Sequence, residues 1–286
     1  MALLQLPPFI GVKERARKVE EAYNLWYEAL YPATLAMRLK TTFKLAMSNP
    51  LTRRNVESLL EKYTLVAGVS RAVAFEMGGE WQHRIYSLDP GVGLDDEEIE
   101  ELERIKRANP QKKNYIVFGG MAGAPHKGFL EALLAFKAIS SRHPELKLVT
   151  TGQPPGELTP RLQALTSRLG LKDRVVFTGY LSRIERLEVV RRASLTLYPA
   201  HLDAYPYAVL ESLLLETPVV AYDLPALKMY FRGYEGITLV EEGDIETLAM
   251  AALETLEQGK RPFSPPRFRK WESIAAEERL LVEKLL

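Results

Sequence analysis

The sequence predicts an α/β protein in which a smaller, helix-rich α/β segment precedes a complete doubly wound domain. From residue 115 onward, short apolar runs alternate with helical segments, and turns that contain Gly or Pro separate them. Short apolar strands separated by helices are typical of a parallel sheet that is covered on both faces. Such sheets bind ligands beyond the carboxyl ends of their strands, so the loops there are the candidate functional regions.

Composition and charge fit this class. The chain has 286 residues, of which 47% are hydrophobic and 26% are charged, and it contains no Cys. These values exclude a disordered, collagen-like or disulfide-stabilised protein, and the length allows two domains. The lack of Cys removes thiolate nucleophiles and Cys-bound zinc. A net charge of +1 gives no overall attraction to nucleic acid, so we predict no nucleic-acid partner. A cytoplasmic location is the default expectation.

The first part of the chain is mostly helical. An apolar strand at the N-terminus runs into a turn, and residues 12–62 have mostly helical periodicity with breaks at Pro32 and at Asn49-Pro50. The next predicted elements are a strand at 63–68, a helix from about Ser70, a strand near 84–86 and a helix that opens in the acidic run 95–98. Pro and polar residues at 107–113 then predict a connection between domains.

The second part repeats one pattern. The predicted strands are 115–118, 146–149, 174–177, 195–198, 218–221 and 236–240. A helical segment fills each interval, and another follows the last strand. Residues 113–265 are therefore the predicted doubly wound domain.

The loop after the first of these strands, at residues 119–128, is rich in Gly and Ala and enters a helix at about Phe129. Small residues let the backbone approach a bulky anion, and the N-terminus of the following helix offers N–H groups. Lys127 adds a positive charge at the same place. The loop matches neither the P-loop nor the GxGxxG pattern. A phosphate site and an ordinary surface turn both remain open.

The loop after the fourth strand carries two acids. Asp203 lies in the loop and Glu211 about one turn into the next helix, so the N-terminus of that helix lies between them. In a chain with 37 acids, such spacing alone does not identify a site. A solvated acid favoured by the helix dipole is the alternative interpretation of Glu211.

Six motifs occur in a recognisable order. They are residues 126–128, 149–154, 169–179, Pro199 four positions before Asp203, the acid pair itself, and 217–221. With them, the region from residue 115 to about 276 resembles the nucleotide-sugar-binding domain of retaining glycosyltransferases with the GT-B fold. This group 1 family includes glycogen synthases and many mannosyl- and glucosyltransferases. Residues 270–275 resemble the family's closing helix, which crosses back to the first domain.

The resemblance implies a hexosyltransferase that takes its sugar from a nucleoside-diphosphate sugar with retention of configuration. Lys127 would bind phosphate and Asp203 would contact the transferred sugar, so these two are the implied catalytic residues. Glu211 would accept hydrogen bonds from the ribose hydroxyls. The implied donor-binding residues are Gly119, Gly120, Lys127, Gly152, Tyr180, Leu181, Asp203, Tyr205, Tyr207, Ala208 and Glu211.

The chain departs from the family at two places. Asp203 stands where the family usually has Glu, and Tyr205-Pro206 stands where it has Phe-Gly, so one carboxylate is shorter and one N–H donor is lost. Residues 120–122 lack the Arg that the family tends to carry there. Neutralisation of the diphosphate charge would therefore depend more on Lys127. No Asp-x-Asp motif occurs, and we expect neither a metal nor another cofactor.

Before residue 112 the resemblance covers only the end of the family's first, acceptor-side domain, at residues 66–76 and 90–93. We expect residues 1–112 to form a partial N-terminal domain that lacks the front of the family's domain. Residues 266–286 would form the helix that returns to it.

This expectation leaves alternatives to an active transferase. The chain could be a non-catalytic or truncated nucleotide-sugar-binding subunit, which would act with a missing N-terminal portion or a partner chain. A GT-B type sugar-nucleotide epimerase is the other alternative.

Residues 29–56 contain no acid, and their basic residues are Arg38, Lys40, Lys44, Arg53 and Arg54. Interleaved with apolar residues, they could form a face for anionic lipid, which would place the protein peripherally at the inner face of the membrane. A solvated helical face is the alternative. The acceptor, a sugar or a lipid-linked molecule, stays unidentified.

Overall fold

The computed structural model describes residues 2–4, 13–31, 54–55, 57–78, 82–87, 96–108, 112–152, 154, 156–259, 263–266 and 269–284. In this part of the chain, helices flank two parallel β-sheets, one of three strands and one of six. The predicted α/β class is confirmed.

The first sheet contains the strands β1 (Ala2–Leu4), β2 (Val66–Gly68) and β3 (Tyr86–Ser87), with β2 in the centre and both pairings parallel. Two helices of this region are α1 (Lys13–Leu30) and α2 (Arg71–Met77). The hydroxyl of Ser70 accepts a hydrogen bond from the backbone N–H of Val73, so Ser70 caps α2 where the sequence predicts its start.

Helix α3 (Asp96–Ala108) leads into the second sheet. Its first turn holds three acids, a favourable position for negative charge at the positive end of the helix dipole. Leu102 and Ile105 are buried against the core of the six-stranded sheet, so α3 packs with that sheet.

The second sheet contains β4 (Tyr115–Phe118), β5 (Lys147–Thr150), β6 (Val175–Phe177), β7 (Leu195–Tyr198), β8 (Val219–Tyr222) and β9 (Ile237–Val240). All are parallel, in the order β6-β5-β4-β7-β8-β9. The chain builds outward from β4 to β6 and then returns to the other side at β7. The switch point between β4 and β7 is where doubly wound sheets bind ligands.

Helices cover both faces of this sheet. They are α4 (Phe129–Arg142), α5 (Thr159–Arg168), α6 (Arg183–Arg192), α7 (Tyr207–Leu214), α8 (Pro225–Phe231) and α9 (Ile245–Glu257), and α10 (Trp271–Glu283) follows. Side chains alternate along β4, so Ile116 and Phe118 join the core under α4 and α9, whereas Val117 joins the core under α6 and α7. Each fully buried large side chain contributes roughly 1.5–3 kcal/mol.

Helix α1 packs against the six-stranded sheet although it follows β1 in the chain. Trp26 and Leu30 belong to the same buried cluster as Phe118. Arginines of α5 donate to carbonyls at the end of α1, Arg161 to Leu30 at 3.2 Å and Arg168 to Ala29. These bonds satisfy carbonyls that the end of a helix leaves unpaired.

Helix α10 contacts the first sheet, because the Tyr86 hydroxyl of β3 donates to Oε1 of Glu277 at 3.2 Å. The domain limits at residues 112 and 265 stay predictions, as does the crossing of 266–286 to the first domain.

The described elements begin and end close to their predicted positions. The strand expected at 146–149 lies one residue later, and the helix expected at about Phe129 begins there. In the predicted helical stretch 12–62, α1 and residues 54–55 and 57–62 are helical. Most of the basic stretch lies outside the described residues, and Arg54 is its described member.

Gly128 should not tolerate a side chain. It has a φ of +74°, and a Cβ there would lie 1.8 Å from the carbonyl oxygen of Pro199. We expect Gly128→Ala to lower the free energy of unfolding by about 3–5 kcal/mol, from the left-handed conformation and the overlap together. Gly170 has a φ of +75° with nothing within 4 Å, so Gly170→Ala should lose only about 1–2 kcal/mol. Denaturant unfolding would measure both, and equal losses would contradict the close contact.

Candidate functional site

A cavity of about 430 Å³ lies beyond the carboxyl ends of β4, β5 and β7, at the switch point of the six-stranded sheet. Eight of the residues predicted to bind the donor line it: Gly119, Gly120, Lys127, Gly152, Asp203, Tyr205, Tyr207 and Ala208. The fold therefore brings together residues that lie up to 89 positions apart in the sequence.

The two residues predicted to be catalytic contact each other. Nζ of Lys127 lies 2.6 Å from Oδ2 of Asp203, and the two side chains are 24% and 14% exposed. Lys127 ends a short 3₁₀ turn, Pro125–Lys127, and Asp203 lies in the loop between β7 and α7. An ammonium and a carboxylate thus face one cavity, and each keeps hydrogen-bonding capacity for a ligand.

Asp203 is fixed by two further donors. The hydroxyl of Tyr198 donates to its Oδ2, and the backbone N–H of Tyr205 donates to its Oδ1 at 3.2 Å. Burial raises the pKa of Tyr198 well above its usual value, and the charge of Asp203 raises it further. The phenol therefore stays protonated and acts as a donor. Three donors hold the shorter carboxylate in one position.

The glycines of the first loop have different roles. Gly119 donates its N–H to the Leu197 carbonyl at 2.9 Å, and a Cβ there would lie 2.9 Å from the Tyr198 ring, so close packing requires glycine. At Gly120, a Cβ would lie 2.8 Å from the Phe118 ring and 3.0 Å from Cβ of Lys127. A side chain at Gly120 would therefore overlap the Phe118 ring and crowd Lys127.

The N-terminus of α7 faces the cavity through Ala208. The N–H groups of Tyr207, Val209 and Leu210 donate to carbonyls of Tyr205 or Pro206. Ala208 alone in this first turn has an N–H without an acceptor among the described residues, so it can meet an anionic ligand.

Tyr205 and Tyr207 form an aromatic wall at one side of the cavity. Their ring centroids are 5.0 Å apart, and the Tyr205 ring is also 4.8 Å from that of Tyr230 on α8. Tyr207 is 40% exposed, so part of this wall is open to a ligand.

Three predicted donor-binding residues lie outside the lining of the cavity. Tyr180 and Leu181 follow the bridge between Gly152 and Gly179, and Tyr180 is 84% exposed. Glu211 is 7% exposed, and its carboxylate pairs with the guanidinium of Arg186, which donates to Oε1 at 2.8 Å and also to Oε2. Their roles stay predictions.

Arg186 itself lines the cavity and was not predicted. It lies 25 positions from Glu211, on a helix that carries five further Arg or Glu residues. No local pattern distinguishes it from those neighbours, because only the orientation of α6 against α7 turns it inward.

A buried cluster lies behind the loop between β7 and α7 that carries Asp203. Nδ1 of His201 is 2.9 Å from Oε1 of Glu242, and its Nε2 is 2.8 Å from Oε1 of Glu131. All three side chains are at most 5% exposed. Both ring nitrogens of His201 therefore contact a buried carboxylate.

Arg15 joins α1 to this cluster. Its Nε donates to Glu76 of α2 at 2.8 Å, and its terminal nitrogens donate to Glu242 and to the carbonyl of His201. The backbone N–H of His201 in turn donates to the carbonyl of His126 at 2.8 Å. The loop with Asp203, the loop with Lys127 and α1 are thus tied together.

His126 lies between Lys127 and Tyr23 of α1. Burial lowers its pKa to about 4, and the charge of Lys127 contributes to the lowering. Its imidazole is therefore neutral at neutral pH and adds no positive charge beside the cavity.

The comparisons with known proteins identify one family. The model of the glycosyl transferases group 1 family matches residues 99–266, more than half of the chain. The protein belongs to this family. Among curated relatives, the D-inositol 3-phosphate glycosyltransferase of Acidothermus cellulolyticus is 33% identical over 144 residues, which are 48% of this chain and 32% of that protein. The chain thus spans about a third of the length of this relative.

Solved structures show the same GT-B fold. Sucrose-phosphate synthase from Thermosynechococcus elongatus has a TM-score of 0.61 at 19% identity and covers 82% of this chain and 62% of its own. The Anabaena protein HepE, solved in complex with UDP-glucose, has a TM-score of 0.56 at 18% identity, with 73% and 58% covered. Among the described helices, none is both long and apolar enough to cross a membrane.

The buried cluster should make stability depend on pH. Burial raises the pKa of Glu76 from 4.5 to about 7, although Arg15 opposes the rise. The folded protein binds the proton of the Glu76 carboxyl more tightly than the unfolded chain does. The contribution of this proton to the free energy of unfolding is therefore complete below about pH 4.5 and is lost as the pH rises through 7. We expect the free energy of unfolding of the wild type, relative to Glu76→Gln, to fall by about 3 kcal/mol across that window.

Denaturant unfolding at pH 4.5, 6, 7 and 8 would measure the difference. The control is Glu145→Gln, at an exposed position, whose free energy of unfolding should change with pH as that of the wild type does. A Glu76→Gln curve parallel to the wild type would contradict the raised pKa.

Proposed function

We propose that the protein is a glycosyltransferase that takes a sugar from a nucleoside-diphosphate sugar, with the cavity beyond β4 and β7 as its donor site. The observation that carries the proposal is the Lys127–Asp203 pair at the switch point of a chain that belongs to the group 1 family. The structure of HepE with UDP-glucose in the same fold supports it.

The diphosphate would meet three groups in the cavity. Lys127 has one N–H on Asp203 and two more for phosphate oxygens, and the N–H groups of Gly120 and Ala208 can add to them. Negative charge develops on the diphosphate as it leaves, and donors already in position stabilise it without reorganisation.

The transferred sugar would lie against Asp203. The departure of the diphosphate gives the sugar oxocarbenium character, and a carboxylate can both hold a sugar hydroxyl and stabilise the positive charge. Because Tyr198 and Tyr205 fix Asp203, the sugar meets an acceptor that is already oriented.

We further propose that the reaction retains the anomeric configuration and needs no divalent cation. The NMR spectrum of the product would give its anomeric configuration. Turnover in the presence of EDTA would test whether a divalent cation is required. A phosphorylated polyol is the first acceptor to try, because one relative is named for D-inositol 3-phosphate. A sugar or a lipid-linked molecule is the next acceptor to try.

The expected cytoplasmic location and peripheral membrane contact would be tested by cell fractionation.

Loss of the Lys127 charge should remove donor binding. Calorimetry with UDP, GDP and ADP would identify the base, and we expect Lys127→Met to weaken the preferred diphosphate about 10–100-fold, the value of one or two charge-assisted hydrogen bonds. Lys137→Met, at an exposed position on α4, is the matched control and should bind as the wild type does. Equal affinity of Lys127→Met and Lys137→Met would refute the site.

Asp203→Asn should separate binding from transfer. The amide keeps the size of the side chain but loses the charge next to the sugar, so we expect diphosphate affinity within about threefold of wild type and at least a tenfold loss of transfer. Wild-type binding without transfer to any acceptor would favour a nucleotide-sugar-binding subunit, and formation of an epimerised donor would favour the epimerase.

A further inference from the structure

The loop that carries Asp203 is held by a side chain from the first part of the chain. Arg15 lies on α1, 186 positions before His201, and its Nη2 donates to the His201 carbonyl at 2.5 Å. His201 precedes Asp203 by two positions. Because Arg15 is buried, this hydrogen bond is shielded from water. The backbone next to Asp203 is thus fixed by a helix that precedes the doubly wound domain.

The direction of this hydrogen bond is set by two buried acids. Nε of Arg15 donates to Glu76 of α2 at 2.8 Å, and Nη1 donates to Glu242 in the loop after β9. Both carboxylates are buried. A guanidinium is planar, so its three nitrogens point in fixed directions. With Nε and Nη1 held by the two acids, Nη2 is aimed at the carbonyl of His201.

The backbone of His201 connects Arg15 to both charged residues of the cavity. The N–H of His201 donates to the carbonyl of His126 at 2.8 Å, and the next residue, Lys127, lies 2.6 Å from Asp203. Movement of this backbone would therefore move Asp203 relative to Lys127. A misplacement of about 1 Å can lower the rate of an enzymatic reaction about 100-fold.

We propose that Arg15 is a positioning residue for glycosyl transfer, which holds the backbone at His201 so that Asp203 meets the transferred sugar. Arg15 is not among the described residues that line the donor cavity, so it acts through His201 and not by contact with the donor. This inference rests on the proposed function and goes beyond it, because it gives α1 a part in the reaction of the second sheet.

The loss of Arg15 should affect Asp203 more than Lys127. Lys127 ends the 3₁₀ turn Pro125–Lys127, and its own N–H donates to the carbonyl of Ala124 at 3.0 Å. This local hydrogen bond does not depend on Arg15. Diphosphate binding by Lys127 should therefore survive a substitution that displaces Asp203 from the sugar.

The first test is Arg15→Met, which keeps the length of the side chain and removes its donors. Calorimetry would measure the affinity for UDP, GDP and ADP and for UDP-glucose, GDP-mannose and ADP-glucose, and the release of diphosphate from each sugar would give the rate. For the base that the wild type prefers, we expect diphosphate affinity within about threefold of wild type and release at least tenfold slower. The affinity that the sugar adds to the diphosphate should fall at least about threefold, a readout that needs no turnover.

The matched control is Arg17→Met. Arg17 lies on the same helix, is exposed, and pairs with Glu21 one turn later. It should change neither the affinities nor the rate. Circular dichroism would confirm that each variant is folded.

A double variant distinguishes positioning from a general structural role. If Arg15 acts through Asp203, the addition of Arg15→Met to Asp203→Asn should slow the release of diphosphate by less than about threefold more, although each substitution alone costs at least tenfold. Two losses that multiply would overturn the inference, because Arg15 would then act independently of Asp203.

Arg15→Lys keeps the test valid if Arg15→Met does not fold. Its ammonium keeps a positive charge between Glu76 and Glu242, but a single nitrogen cannot reproduce the three directions of the guanidinium. We expect release about 3–10-fold slower, with wild-type diphosphate affinity. A wild-type rate and a wild-type sugar contribution in a folded Arg15 variant would overturn the inference. A wild type that binds none of the three diphosphates would refute the proposed function itself, which is a distinct result.

Discussion

The hydrogen-bonded charges around Arg15 and His201 connect the parts of the chain on which the candidate site depends. Arg15 contacts α2, the loop after β9 and the loop after β7, and His201 contacts α4 and the loop after β9. These groups are buried, so each charge depends on its partners, and the removal of one would leave another unpaired. The cluster therefore fixes one arrangement of five chain segments.

This cluster sets the position of the loop that carries Asp203. Asp203 comes two residues after His201, and Lys127 comes one residue after His126, whose carbonyl accepts the N–H of His201. The contact of Gly128 with Pro199 brings the same two loops together on the other side. Burial is the main cause of the raised pKa of Glu76, and the charge of Asp203 adds a smaller contribution.

Much of the fold could be predicted because its signals are local. The six strands of the large sheet are short apolar runs, and the start of α2 follows from Ser70, whose side chain caps it within three residues. The packing of α1 was not predicted. Its amphipathic pattern shows that one face is buried, but not against which sheet, and Trp26 lies 92 positions before Phe118 of the cluster that it joins.

For the candidate site, the sequence by itself determined Lys127, Asp203 and the glycines, because the order of the motifs and the fold class place their loops at one end of a parallel sheet. The tertiary structure decided which charges meet. Arg15 pairs with Glu242, which lies 227 positions later in the chain, and Arg186 pairs with Glu211, 25 positions later. A side chain's partner is set by the orientation of whole helices against one another, and no spacing along the chain encodes that orientation.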